Sequence, residues 1–173
     1  HERREVTQGL TQGASTQDEG VWVEGVTLTV YSARIGTRDA DALDITRKGN
    51  HPQGVIFAPS ETILRPALRA RDEANKLRRD ADDLTIAPAG IERLALLAQA
   101  ERIEFEMWTW YEPAYTEEMR ACYKANRRVW HAILAKPRVV LLCYCANAVL
   151  PHCHRVVLRS IFVKLGAVDG GEI

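Results

Sequence analysis

Segments typical of β-strands alternate with segments typical of α-helices along this chain, and that order limits the folds it can adopt. Residues 21–31 alternate bulky with small or polar side chains, residues 54–59 form a short apolar run closed by a proline, and residues 139–142 are continuously apolar. Helical patterns lie between these segments. Strands separated by helices favour a parallel, layered sheet. We therefore predict an α/β fold, a single compact three-layer domain with a mostly parallel sheet and flanking helices.

The spacing of apolar residues predicts four helices, over about residues 61–80, 91–98, 114–135 and 153–165. Ser60 is placed to cap the first helix, and Gly166 stands where the last one ends. An aromatic turn is expected over residues 108–111, and a short turn or strand end over residues 43–49.

Length and composition predict one domain. With 173 residues, 46% of them hydrophobic, the chain is long enough for one core and too short for two ordinary domains. Residues 1–20 are polar and aperiodic, which predicts a flexible N-terminal arm before a single α/β domain over residues 21–173. No apolar run reaches the roughly 18 residues that a membrane helix needs, so we expect no membrane partner.

Three of the four cysteines, Cys143, Cys145 and Cys153, fall within eleven residues. A secreted disulfide framework would distribute cysteines along the chain, so this cluster favours reduced thiols, metal ligands or a catalytic group in a cytoplasmic protein. The spacing differs from that of a standard zinc finger, which uses two separated pairs of ligands. We predict no cofactor, and zinc bound by the cysteines and histidines of this loop stays an alternative.

Positive and negative charges are unevenly distributed, although the net charge is zero. Residues 1–118 hold 14 Lys and Arg against 21 Asp and Glu, whereas residues 119–173 hold nine against two. Two interpretations remain. The acidic part neutralises the basic part across the folded interior, or the basic part attracts an anion; we favour the anion.

A strand, a loop and a helix start meet in residues 139–155. Ligands of parallel α/β sheets bind outside the carboxyl ends of the strands, and the free N–H groups of a helix N-terminus favour anions. Arg155, in the first turn of the last helix, opposes the usual preference for acids there. An anion between Arg155 and the N–H groups would explain it, so residues 143–155 are the predicted site.

Two side chains of this loop are candidates for catalysis. Because Cys153 begins the last helix, we expect its pKa to fall below the reference of about 8.5. Burial should raise the pKa of Cys143, and that of Cys145 should lie between the two. Helical spacing places His154 on the inward face with Leu158, and a structural histidine bonded to a carbonyl is the equally weighted alternative.

The motifs Leu142-Cys143-Tyr144-Cys145, Cys153-His154-Arg155 and Lys164-Leu165-Gly166-Ala167 resemble the end of the DUF488 family, a domain family of unknown function. A bacterial and phage subgroup of that family is similar also at residues 31–36, 43–47, 57–60 and 115–123. The resemblance covers about residues 26–172, with residues 80–106 as a variable insert. It implies a compact α/β fold and a site built from these polar loops, with no settled activity.

Three functions remain open. The one we favour is binding, with processing as an open further step, of a small anion such as a nucleotide or phosphorylated nucleoside. The predicted ligand-binding residues are Tyr31, Ser32, Arg34, Arg47, Ser60, Tyr144, Cys145 and Arg155, and the predicted catalytic residues are Cys153, His154 and Asp44. Asp44 is an acid/base candidate, or else it caps local N–H groups in a turn. The alternatives are a nucleic-acid or protein-binding accessory factor with a basic C-terminal patch, and a structural zinc-binding domain.

Overall fold

The computed structural model describes residues 27–49, 51–84, 90–145 and 152–173. In chain order they form β1 (Thr29–Arg34), β2 (Ala42–Asp44), a 3₁₀ turn (Val55–Phe57), α1 (Glu61–Asp83), α2 (Gly90–Ala125), α3 (Arg127–Leu134), β3 (Arg138–Cys143), α4 (His154–Lys164) and β4 (Val168–Glu172). The arm predicted for residues 1–20 lies outside the described residues, and so do residues 21–26 of the first predicted strand. Within the described part, no helix is long and apolar enough to span a membrane.

The four strands form one sheet in the order β2-β3-β1-β4, and every neighbouring pair is parallel. The predicted α/β class and parallel sheet are therefore confirmed. β3 lies between β2 and β1, and its residues after Arg138 are all buried. This central position explains the unbroken apolar run, because such strands are covered on both faces.

The two helical connections cross the sheet in the same direction, from β2 to β3 through α1–α3 and from β3 to β4 through α4. Right-handed crossovers that run in one direction lie on the same face of a sheet. Side chains of all four helices accordingly join one core cluster with Val30 and Leu141. A second apolar cluster, around Ala33 and Val140, contains only strand residues and Ile35. The described residues thus form two layers, and the predicted third layer is not seen among them.

The strand predicted over residues 54–59 is wrong, because this segment forms the 3₁₀ turn. Phe57 is buried because its ring contacts Trp130 and Phe162, with ring centroids 4.9 and 5.9 Å away. The Tyr115 hydroxyl donates a hydrogen bond to the Phe57 carbonyl at 2.6 Å. A short apolar run buried under helices has the same composition as a buried strand, so periodicity alone does not separate the two.

α2 is one helix of 36 residues, where the sequence predicts two helices and an aromatic turn over residues 108–111. The rings of Trp108 and Tyr111 stack at 5.5 Å, and those of Tyr111 and Tyr115 at 6.0 Å. These residues recur at helical spacing, and the helix continues through Pro113. The predicted first and last helices are confirmed as α1 and α4, within three residues at each end.

β4 has no counterpart in the sequence prediction, because Asp169-Gly170-Gly171 lacks a strand pattern. It pairs with β1, and the register is irregular between Val30 and Tyr31. A Cβ atom on Gly170 would lie 2.5 Å from the Tyr31 ring, and Gly171 has a φ of +81°. This edge strand is therefore specified by close approach and backbone conformation rather than by apolar side chains.

Candidate functional site

A cavity of about 800 Å³ opens at the carboxyl ends of β2 and β3. Residues 46–48, which follow β2, lie on one side of it, and Cys143 to Cys145, at the end of β3, lie on the other. Residues of α1, α2 and the start of α4 complete the lining. Because β2 and β3 are parallel neighbours, the loops after them meet at one edge of the sheet.

Three thiols and one imidazole gather at the lining of this cavity. The Sγ of Cys153 donates a hydrogen bond to the Sγ of Cys143 at 3.6 Å, and Nδ1 of His154 lies 3.7 Å from that same sulfur. The backbone N–H of Cys145 also donates to the Sγ of Cys143, at 3.4 Å. Cys143, Cys153 and His154 are buried and Cys145 is half-buried.

The orientation of His154 is set by its second ring nitrogen. Nε2 lies 3.3 Å from the Ile45 carbonyl, which can only accept a hydrogen bond. Nε2 therefore carries the proton, and Nδ1 presents its lone pair to Cys143. Burial lowers the pKa of His154 and so favours the neutral imidazole.

Hydrogen bonds among the thiols move their pKa values apart. Hydrogen bonds from Cys143 and Cys153 lower the pKa of Cys145 well below its usual range. The hydrogen bonds that Cys153 makes to Cys143 and Cys145, together with burial, raise its own pKa. The lowered pKa expected for Cys153 at a helix start is therefore wrong, because a helix end contributes only about 0.3–1 kcal/mol. The raised pKa expected for Cys143 is confirmed, with its hydrogen bond to Cys145 as the main cause.

Basic side chains also line the cavity. They are Arg47, Lys48, Arg65 and Arg71. Glu61 is the one carboxylate of the described lining, and it pairs with Arg65 at 2.5 Å and more loosely with Arg47 at 3.9 Å. The described lining thus carries four basic groups against one acidic group, which favours an anionic ligand.

An aromatic wall adjoins the basic side chains. The indole of Trp108 stacks on the imidazole of His152 at 4.9 Å, with 23° between the ring planes. The same indole also stacks with the Tyr111 ring, with the ring centroids 5.5 Å apart. Tyr144, 57% exposed, adds a phenol ring to the cavity.

The cavity brings together five of the residues predicted from the sequence, Arg47, Tyr144, Cys145, Cys153 and His154. Its described lining does not include the other six, which are Tyr31, Ser32, Arg34, Asp44, Ser60 and Arg155. The predicted loop is therefore at the cavity, whereas the predicted partners from β1 are not.

Arg155, predicted to bind the ligand, lies outside the described lining and is buried in an ion pair within the fold. Its side chain is 1% exposed and forms an ion pair with Glu172 of β4. It also donates hydrogen bonds to the carbonyls of Ala33 and Cys145, at 3.3 and 3.0 Å. Ser32 belongs to the same network, because its hydroxyl donates to Glu172 at 2.7 Å and accepts from Arg159 at 2.6 Å. The positive charge at the start of α4 is thus balanced by a carboxylate of the chain itself.

Asp44 adopts the turn role that the sequence left open. Its Oδ1 accepts a hydrogen bond from the Thr46 N–H at 2.9 Å, and the loop packs so closely that a Cβ on Gly54 would lie 1.9 Å from the Asp44 carbonyl oxygen. Ser60 precedes α1, and its hydroxyl contacts that of Thr62 at 2.8 Å rather than capping the helix.

Tyr31 and Arg34 of β1 also lie away from the cavity. The Tyr31 ring packs in the cluster around Ala33 and Val140. The Arg138 guanidinium lies over this ring, 4.8 Å from its centroid. Arg34 is exposed at the end of β1. Arg138, which belongs to the basic C-terminal part of the chain, is paired with Asp39 at 2.6 Å and with Asp41 at 3.1 Å.

Several lining residues were not predicted from the sequence. They are Lys48, Arg65, Arg71, Trp108, Tyr111 and His152, among others. Helical spacing of Trp108, Tyr111 and Tyr115 is the signal that indicates one continuous helix with an aromatic face. No local pattern distinguishes Arg71 from the other charged residues of α1.

Comparison with known families matches residues 84–166 to a family model, DUF488-N3a, described as the active DUF488-N3 subclade. The matched residues include all of α2, α3 and β3, the cysteine-rich loop and α4. No curated protein and no solved structure matches the chain.

Proposed function

We propose that this chain, whose residues 84–166 match a model of a DUF488 subclade, binds a nucleotide or phosphorylated nucleoside in the cavity at the ends of β2 and β3. The observation that carries the proposal is the meeting, in one cavity, of a basic side and a wall of stacked aromatic rings. A phosphorylated nucleoside has a matching division into an anionic group and a flat aromatic group.

The basic side suits the phosphate. Lys48 and Arg71 stand on different elements, after β2 and on α1, so they approach a ligand from two directions. A hydrogen bond to a charged group contributes roughly 1.5–3 kcal/mol, and arginine matches phosphate geometry particularly well.

The aromatic wall suits the base. The rings of Trp108, Tyr111, Tyr144 and His152 all line the cavity, and Trp108 stacks with both Tyr111 and His152. Base stacking on an aromatic side chain contributes roughly 1–3 kcal/mol and tolerates different bases. A volume of about 800 Å³ also falls in the range that small-molecule sites occupy.

Thermal unfolding with a ligand panel tests the proposal. The panel contains nucleoside monophosphates and diphosphates, the matching nucleosides, and inorganic phosphate. A ligand at about 100 times its Kd stabilises the protein by about 2.7 kcal/mol, which raises the Tm by roughly 5–10 °C for a chain of this size. Mass spectrometry of the recovered nucleotide shows from the same samples if it has been processed.

Two pairs of variants separate the two halves of the ligand. Arg71→Gln should weaken nucleotide binding about tenfold and leave nucleoside binding unchanged, whereas Arg69→Gln, an exposed control on the same helix, should change neither. Trp108→Leu should weaken nucleotide and nucleoside alike, and Trp110→Leu, outside the described lining, should not. If no member of the panel shifts the Tm, or if both members of each pair behave alike, the proposal is wrong.

A further inference from the structure

Three atoms with metal-binding chemistry converge at the lining of the cavity. The Sγ atoms of Cys143 and Cys153 and a ring nitrogen of His154 all lie within 4.8 Å of one another. All three side chains are buried, and they come from two elements, the end of β3 and the first residues of α4. Two cysteines and one histidine are a ligand set that zinc takes in proteins.

The separations fit a tetrahedron around a single ion. With Zn–S bonds of about 2.3 Å and Zn–N bonds of about 2.0–2.1 Å, tetrahedral angles place two sulfurs about 3.8 Å apart and a sulfur and a nitrogen about 3.5 Å apart. The observed distances are 3.6 Å between the two sulfurs and 3.7 Å between the Cys143 sulfur and Nδ1 of His154. Two of the three separations therefore match the tetrahedral values to within about 0.2 Å, and the third, between the Cys153 sulfur and the His154 ring, is at most 4.8 Å.

The surroundings are also those of a metal site. A histidine that binds a metal usually donates its other N–H to a carbonyl or carboxylate, and Nε2 of His154 faces the Ile45 carbonyl at 3.3 Å. The N–H of Cys145 donates to the Cys143 sulfur, which stabilises a thiolate there. The first contact fixes the orientation of the imidazole ring, and the second supports a thiolate at Cys143.

Charge balance favours this set in a buried place. Zn²⁺ binding displaces one proton from each of the two thiols, and the histidine is neutral when it binds. The resulting centre of one Zn²⁺ and two thiolates has no net charge. A neutral centre avoids the free-energy cost of an unpaired charge among side chains that are only 2–8% exposed.

We propose that Cys143, Cys153 and His154 bind a zinc ion whose fourth coordination position faces the cavity beside Cys145. The Cys145 thiol hydrogen-bonds to Cys143 and Cys153 at the edge of the cavity, yet it does not belong to the group whose ligand atoms all lie within 4.8 Å of one another. The three ligands and an accessible fourth position form the arrangement of zinc sites that act on a bound water or ligand. This site stands independently of nucleotide binding, because its ligands are defined by their own geometry.

Metal analysis of the wild-type chain is the first test. Protein purified without chelator should contain close to one zinc per chain, and the metal-free form should take up one equivalent in a titration against a coloured zinc chelator. Chelation should lower the Tm, and added zinc should restore it. The proposal would be overturned if the purified protein contained less than about 0.1 equivalent of zinc and the metal-free form took up none in the titration.

Variants and cobalt identify the ligands and the open position. Cys143→Ser and Cys153→Ser should lose the metal, whereas Cys122→Ser, a cysteine outside the cluster that donates to the Ile56 carbonyl, should keep it. Cys145→Ser should also keep it, and azide should shift the visible spectrum of the cobalt-loaded wild type. Loss of metal in Cys145→Ser, or a cobalt spectrum insensitive to azide, would overturn the open fourth position. Because the wild-type titration needs no variant, a variant that fails to fold leaves the test intact.

Discussion

Removal of the Glu172 charge should destabilise the protein far more than removal of a neighbouring charge on the same strand. Glu172 forms an ion pair with Arg155, which is 1% exposed, and accepts a hydrogen bond from the buried Ser32 hydroxyl at 2.7 Å. The Glu172→Gln substitution keeps the shape of the side chain and removes only its charge. The Arg155 guanidinium then stays buried without its counter-charge.

The magnitude follows from the burial of the two partners. Removing one partner of a buried ion pair costs about 3–5 kcal/mol, because the remaining charge is uncompensated. Glu172 is 19% exposed, and Arg155 keeps its hydrogen bonds to the Ala33 and Cys145 carbonyls. The cost should therefore lie at the lower end, about 3 kcal/mol, which corresponds to a fall in Tm of roughly 6–12 °C.

Asp169→Asn is the matched control. It also removes one carboxylate from β4, but Asp169 is 54% exposed and pairs with Arg159 at 3.0 Å near the surface. Such a pair contributes about 0–1 kcal/mol. Urea unfolding of the two variants and the wild type measures the difference. Equal costs for the two substitutions, or a cost below about 1 kcal/mol for Glu172→Gln, would refute the assignment of Arg155 to a buried structural pair.

Two further predictions concern an ion pair between α1 and α2 and the packing of the loop after β2. Hydrogen bonds from Arg78, at 2.6 and 2.7 Å, lower the pKa of Glu104 below its ordinary 4.5, so this pair stabilises the fold fully above that pH and less as the pH falls through the folded pKa. Glu104→Gln should lower the free energy of unfolding by roughly 1.5–3 kcal/mol at neutral pH, and by progressively less below pH 4.5. The control Glu106→Gln, at an exposed ion pair, should lower it by about 0–1 kcal/mol at every pH. Urea unfolding at several pH values measures both. Gly54→Ala should lower the free energy of unfolding by at least about 1–3 kcal/mol, because the new Cβ would lie 1.9 Å from the Asp44 carbonyl oxygen. The control is Gly90→Ala, whose Cβ would have no atom within 4 Å and which should change that free energy by less than about 0.5 kcal/mol. Similar urea midpoints for these two glycine variants would contradict the packing of the loop after β2.

The elements that the sequence predicts correctly are those whose signal is local. β3 is a continuous apolar run, and α4 begins after Cys153 and ends next to Gly166, whose φ is +102°. The location of the site follows from these two elements, because the loop between a parallel strand and the next helix lies at the carboxyl end of the sheet.

The elements that it misses depend on contacts between distant residues. The 3₁₀ turn is buried by Trp130 and Phe162, which lie more than 70 residues later in the chain. β4 is a strand because β1 offers it an edge, and its own residues carry no strand pattern. In both cases tertiary contacts decide the conformation, and no window of neighbouring residues contains them.

The same limit explains the lining of the cavity. Arg71 and Trp108 reach it from α1 and α2, more than 30 residues before Cys143. Arg71 belongs to a segment of alternating charges that indicates a solvated helix face and nothing more. Only the packing of α1 with α2 near the ends of β2 and β3 places Arg71 in the lining of the cavity.

The loop that the electrostatic argument selected lies at the cavity, but the negative charge beside Arg155 comes from the chain itself. A basic residue in the first turn of a helix requires a nearby negative charge, and the sequence offers Asp169 and Glu172 as the only carboxylates after residue 118. β4 returns along β1 and brings Glu172 to Arg155, so the charge is balanced inside the fold. Because Arg155 also donates to the Cys145 carbonyl, the same pair holds one end of the cysteine loop. Its part in the structure of the cavity is therefore to hold that loop, while Lys48 and Arg71 are among the basic residues that line the cavity.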